Sequence, residues 1–152
     1  MKRQTQMEVI SILFILLFIY AAISKLIDFD RFRIQLMQSP ILTAFAGIAA
    51  WSVHLVEIIV AVLLCVPHWN GIGLYAAFSL MIAFTGYILV ILNFSPFVPC
   101  SCGGILSALG WAEHLLFNVG FVLLALYGIY LSDRQQVSND DHLAASGMKP
   151  SR

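Results

Sequence analysis

The sequence predicts an all-α polytopic membrane protein: a bundle of four transmembrane helices with a short interfacial helix after the first. Three observations carry that prediction. The 152 residues are 61% apolar and 11% charged, against about 45–50% and about 25% in an ordinary soluble domain. Between Arg33 and Asp133 the only charged residues are Glu57 and Glu113, and a soluble fold could not cover so long a stretch without an apolar surface. The apolar residues also fall into runs of about the 20 residues that cross hydrocarbon. Net charge is zero, which removes any electrostatic case for nucleic acid as a partner.

The spans are predicted at about 8–26, 42–66, 72–94 and 112–131, within a membrane domain of residues 1–131. Lys2 and Arg3 form a basic head ahead of the first span, whose only polar interruptions from Val9 to Ile23 are Ser11 and Tyr20. That run is too long for a signal-peptide core, and further spans follow it. Lys25–Gln38 mixes charges with Phe29, Phe32, Leu36 and Met37 at three- and four-residue spacing, the pattern of an amphipathic helix at the membrane surface. Ser39-Pro40 ends it. Pro67-His68-Trp69-Asn70-Gly71 closes the second span, and Pro96 follows the third. Residues 132–152, rich in Ser, Asn and Asp without apolar periodicity, read as a disordered polar tail.

Four spans put both termini on one side of the membrane and the loop after the third span on the other. Lys2, Arg3 and Arg134 balance Lys25, Arg31 and Arg33, so the positive-inside rule is close to tied. The first helix usually dominates, and its basic head favours cytoplasmic termini. The loop then faces the periplasm of a bacterial cell, an oxidising compartment.

That loop holds Val98-Pro99-Cys100-Ser101-Cys102-Gly103-Gly104. Proline before the cysteines and glycines after them dictate a turn rather than a helix. A disulfide between Cys100 and Cys102 closes a tight ring, and a strained bond exchanges readily. The pair is therefore a candidate redox-active dithiol, or else a structural staple. Two sulfurs with one distant histidine fall short of the four ligands of structural zinc. Cys65 lies at the opposite membrane face, where it cannot pair with either, and reads as a small buried apolar residue.

Within the spans, His54 and Glu57 lie three apart on one helix face. An ionisable group at that depth needs a partner and is a candidate proton relay or quinone-headgroup contact, or a polar clamp. His114 and Asn118, four apart, sit just below the thiol loop. His114 is a candidate proton donor to a leaving thiol, and Asn118 a further cofactor contact. Glu113 suits the start of the last helix. Lys25 reaches the same level and either stabilises a thiolate, pairs with Glu113 or extends to the headgroups. The tryptophans Trp51, Trp69 and Trp111 and the many phenylalanines read as lipid-facing or belt residues. Gly71, Gly73, Gly86, Gly120 and Gly128 read as sites of close helix packing.

Tyr20-Ala21-Ala22-Ile23-Ser24-Lys25-Leu26, Leu55-Val56-Glu57-Ile58, and Pro99-Cys100-Ser101-Cys102-Gly103-Gly104 followed by Gly110-Trp111-Ala112-Glu113-His114 carry a resemblance. Over about residues 8–131 the chain resembles the MauE/DoxX group of small four-helix membrane proteins. The resemblance implies a cytoplasmic-membrane protein associated with redox chemistry. MauE-type members are linked to methylamine utilisation and to disulfide formation in a dehydrogenase subunit with a thioredoxin-like partner. DoxX relatives are linked to thiol and sulfur redox chemistry. The architecture is also similar to the vitamin K epoxide reductase type, which passes electrons from thiols to a quinone. That type uses Cys-x-x-Cys, whereas this chain has Cys-x-Cys and no second pair.

Three functions stay open at this point. The first is thiol–disulfide exchange with a thioredoxin-like or other disulfide-containing protein, coupled or not to quinone. The second is a non-catalytic anchor or assembly subunit of an oligomer or larger complex, with Cys100–Cys102 as a structural bridge. The third is a small-solute carrier built round Glu57.

Overall fold

The computed structural model describes residues 2–37, 43–94 and 111–145. The Cys100 and Cys102 loop lies outside the described residues, as does the Trp111 side chain. Five α-helices follow one another: α1 (Lys2–Ile27), α2 (Phe29–Met37), α3 (Ala46–Cys65), α4 (Asn70–Phe94) and α5 (Trp111–Ala145). Single 3-10 turns at Thr43–Phe45 and Pro67–Trp69 lead into α3 and α4. Among the described residues, four helices are long and apolar enough to cross a membrane: Arg3–Ile27, Ala46–Cys65, Pro67–Val90 and Glu113–Ser138. The protein is therefore a transmembrane four-helix bundle in contact with the lipid bilayer.

The four long helices form a ring in which α1 packs on α3, α3 on α4, α4 on α5 and α5 back on α1. Each neighbour runs antiparallel, because successive spans cross in opposite directions. The register is fixed at both ends. Toward the termini, Asn70 donates to Ser11 Oγ at 2.8 Å and to the Leu64 carbonyl at 3.0 Å. The second bond satisfies a carbonyl left without an amide partner in the last turn of α3. Tyr75 of α4 donates to Asp133 of α5 at 3.3 Å at this same end.

The main core occupies the terminus half of the bundle. Ile10, Phe14 and Phe18 recur every four residues on α1 and meet Val60 and Leu64 of α3, Leu74 and Met81 of α4, and Ala125 and Ile129 of α5. Phe14 and Phe18 are 0% and 1% exposed, which corrects the reading of the phenylalanines as lipid-facing. On a helix apolar all round, composition cannot separate a core face from a lipid face. Phe14 instead packs on Phe18 and, edge to face, on Phe121 with centroids 5.3 Å apart. Trp51 and Trp69 are exposed, as expected.

Gly71, Gly73 and Gly128 each sit against a neighbouring helix, and a Cβ at Gly71 would meet Ser132 Oγ of α5 at 3.1 Å. A Cβ at Gly73 would meet the Leu64 backbone nitrogen at 3.0 Å, and one at Gly128 would meet Ile10 and Leu74 side chains at 3.2 Å. Gly86 and Gly120 face open space and take no part in such packing. Cys65, expected to be buried, is exposed at the end of α3.

α2 does more than lie at the surface. Leu36 is buried with Ala46 and Ala50 of α3, and Phe29 and Phe32 pack on the same cluster, while Met37 turns outward. The final helix departs from the sequence reading as well. It runs on through residues 132–145, where a disordered tail was expected. After Gly128 the next glycine is Gly147 and the next proline is Pro150, so nothing stops a helix already nucleated by the span.

Candidate functional site

Lys25, His54, Glu57, His114 and Asn118 lie in the half of the bundle away from the termini. α1 ends there, α2 and the start of α3 lie there, α4 leaves the described chain there at Phe94, and α5 begins there at Trp111.

Lys25, in the last turn of α1, forms an ion pair with Glu57 Oε1 of α3. Glu57 is fully buried, and the Lys25 side chain is only 13% exposed. Of the roles the sequence leaves open for Lys25, the structure selects neither the headgroups nor Glu113. The reason is energetic: a carboxylate taken out of water needs a counter-charge, and α1 brings one within reach. The ammonium also lies 5.0 Å from the Phe84 ring centroid and 5.7 Å from that of Phe32, within cation–π range.

His54 and Glu57, although on one face, serve different neighbours. A three-residue step leaves side chains about 60° apart round the helix. Glu57 turns to α1. His54 is buried under α2, with ring centroids 5.9 Å from Phe29 and 5.7 Å from Phe32, and also beside Trp51. Its Nδ1–H donates to the Ala50 carbonyl at 2.8 Å, a polarity that leaves Nε2 as the acceptor. Among the described residues Nε2 has no partner. His54 remains within electrostatic reach of Glu57.

A cavity of about 290 Å³ opens beside the ion pair. Its walls are mostly apolar and aromatic, with Phe32, Phe84, Tyr87 and Phe117 among them. Its polar lining includes Lys25, His114 and Asn118. Thus three of the sequence candidates come together here, while Glu57 touches the group through Lys25 and His54 faces α2. Lys25 lies within electrostatic range of His114. His114 Nδ1 and Asn118 Nδ2 are buried with no hydrogen-bond partner among the described residues, as are Glu57 Oε2 and Ser24 Oγ. Such unsatisfied groups are rare in folded proteins, and each calls for a partner such as a water or a ligand.

Sequence reasoning missed the Lys25–Glu57 pair and the aromatic walls of the cavity. One signal was available for the pair: a lone intramembrane carboxylate demands a cation, and Lys25 is the lysine nearest the membrane interior. The aromatic residues carried no signal, because Phe84 and Phe32 stand among many others.

With this geometry established, comparison with known proteins adds the following. No curated protein and no solved structure matches the chain. A family model described as methylamine utilisation protein MauE matches residues 3–131, a stretch that takes in the first three spans, most of the fourth and every candidate residue. The chain is a multi-pass membrane protein and belongs to the MauE family.

Proposed function

We propose that this protein is a membrane-embedded thiol–disulfide exchange protein working through Cys100 and Cys102, in an accessory role to other redox proteins. The observation that carries the reading is the half-bundle next to the cysteine segment, where His114 and Asn118 present unpartnered buried polar atoms beside Lys25. Residues 95–110 join α4 to α5 at that end of the bundle, so the dithiol is tethered to it by chain connection.

In the exchange, a thiolate of a thioredoxin-like partner attacks the Cys100–Cys102 disulfide. A mixed disulfide forms and one loop thiolate leaves. The partner's second thiolate then attacks the mixed bond. The partner ends as a disulfide and the loop as a dithiol, having gained two electrons and two protons. His114, the fourth residue of α5, is the group placed in chain order to give a proton to the leaving thiolate. Lys25, paired with Glu57, lies within electrostatic range of His114.

The loop must then lose those electrons, and with no second cysteine pair they pass to another protein or to a quinone, which when bound supplies a two-electron, two-proton acceptor. The cysteine loop faces the periplasm and the termini face the cytoplasm, as the basic head of α1 favours. The family's description points to methylamine utilisation as the setting for such an accessory role.

The test is capture of mixed disulfides in cells. Cys100→Ser and Cys102→Ser each leave one sulfur, and one of the two variants accumulates a disulfide-linked partner that thiol reductant releases. If neither variant captures a partner while both fold, the exchange reading fails and a non-catalytic anchor, with the cysteines as a staple, replaces it.

A further inference from the structure

The two halves of this bundle are packed differently. Toward the termini, residues of α1, α3, α4 and α5 form one continuous buried cluster. Toward the other end the helices line a half-open cavity of about 290 Å³. Volume alone would not identify an occupant, but the polar lining does.

Asn118 is only 5% exposed, and its Nδ2 has no acceptor among the described residues. A buried amide donor left unmade bears the full cost of its desolvation. His114 Nδ1, one turn earlier on α5, is likewise unpartnered and donates or accepts according to its tautomer. Lys25 carries three donors, of which Glu57 takes one. Opposite these groups the walls are apolar, with the rings of Phe32, Phe84 and Tyr87. The ligand that fits has an accepting oxygen at one edge and an apolar, ring-shaped body. A polyanion does not fit, because Lys25, the one lysine or arginine among the described lining residues, is already neutralised by Glu57. A cation finds no free carboxylate among the described lining residues, since Glu57 is already paired with Lys25. A sugar would bury more hydroxyls than these few groups can pair.

We propose that the cavity binds a small lipid-soluble molecule with a planar apolar ring and a carbonyl oxygen, the chemistry of a quinone headgroup, and that Asn118 donates to that oxygen. This rests on the exchange reading only for its purpose, since it supplies the class of acceptor that would empty the loop of electrons. The binding itself needs no cysteine. His54 and Glu57 are not contacts in this site; Glu57 holds the Lys25 ammonium at its rim.

The test uses the full chain with Cys100→Ser and Cys102→Ser, in detergent, and two probes of nearly equal shape. Duroquinone carries two carbonyls on a tetramethylated ring, and durene is the same ring without them. Calorimetric titration is expected to show saturable, one-to-one binding of duroquinone, with durene weaker by about tenfold or more, the loss of one good hydrogen bond. Asn118→Leu lowers duroquinone affinity by about tenfold and leaves durene unchanged. Ala21→Phe, which fills the cavity, removes both. Equal affinity for the two probes, or no saturable binding to monodisperse helical protein, overturns the proposal even if Asn118→Leu does not fold. Duroquinone binding without mixed-disulfide capture defeats the exchange reading alone. Capture without duroquinone binding defeats this inference alone.

Discussion

Lys25 of α1 and Glu57 of α3, thirty-two residues apart in sequence, meet as an ion pair inside the membrane bundle. The pair explains why an apolar span tolerates a carboxylate. It also draws a lysine inward that, from its place in the last turn of α1, would otherwise extend to the headgroups. With Phe32 and Phe84 flanking the ammonium, the pair ties α1, α2, α3 and α4 together at the rim of the cavity.

Breaking the pair on one side strands the other charge. Lys25→Met and Glu57→Leu are each expected to destabilise the folded protein by about 3–5 kcal/mol. Replacing both, as Lys25→Met with Glu57→Leu, is expected to recover most of the loss, because no charge is left uncompensated. Thermal or denaturant unfolding of the four proteins gives the coupling; purely additive losses would show that the pair contributes nothing as a pair.

Asn70 fastens the opposite end of the bundle through Ser11 and the Leu64 carbonyl. Asn70→Ala leaves that carbonyl and hydroxyl unpaired and is expected to cost about 1–3 kcal/mol. Duroquinone affinity should stay at the parent value, since the site lies in the other half. A melting curve together with a titration checks both statements.

The glycines divide by what surrounds them. At Gly73 a methyl group would press on the Leu64 backbone at 3.0 Å, which cannot rotate away. Gly73→Ala is therefore expected to destabilise by about 1–3 kcal/mol. Gly120→Ala meets nothing within 4 Å and should leave stability unchanged or slightly improved. Unfolding midpoints that rank the two variants the other way would contradict the observed packing.

Cys65 is exposed at the terminus end of α3, and the Cys100 and Cys102 segment joins the helices at the other end. After reduction with a membrane-impermeant phosphine, a membrane-impermeant maleimide added to intact bacterial cells should label Cys100 and Cys102 without disruption of the membrane. In the Cys100→Ser, Cys102→Ser protein, Cys65 should label only after the cytoplasm is opened. Labelling with the reverse sidedness would invert the proposed orientation.

Much of the fold was legible in advance. α3 was expected over 42–66 and runs Ala46–Cys65, shortened at its start by the 3-10 turn at Thr43–Phe45. The continuation of α5 to Ala145 was not legible, because polar composition describes how a segment meets water and not whether a helix that reaches it must stop. At the site, the depth of Glu57 flagged it at once, and spacing correctly put His114 and Asn118 on one face. The division of labour between Glu57 and His54 was hidden, since a shared face does not say which neighbouring helix each side chain meets.

The sequence by itself determined that this chain crosses the membrane four times, where the turns fall, and that its ionisable groups inside the bilayer are few. Those are consequences of local composition: hydrocarbon excludes charge, and about 20 apolar residues of helix span it. Only the tertiary structure decided that Phe14 and Phe18 face the core, that Lys25 answers Glu57, and that Asn118 and His114 are left unpaired against an aromatic cavity. These depend on how helices are rotated against one another. A helix that is apolar on every side carries no pattern to announce its rotation, so small residues, buried polar partners and close packing settle it.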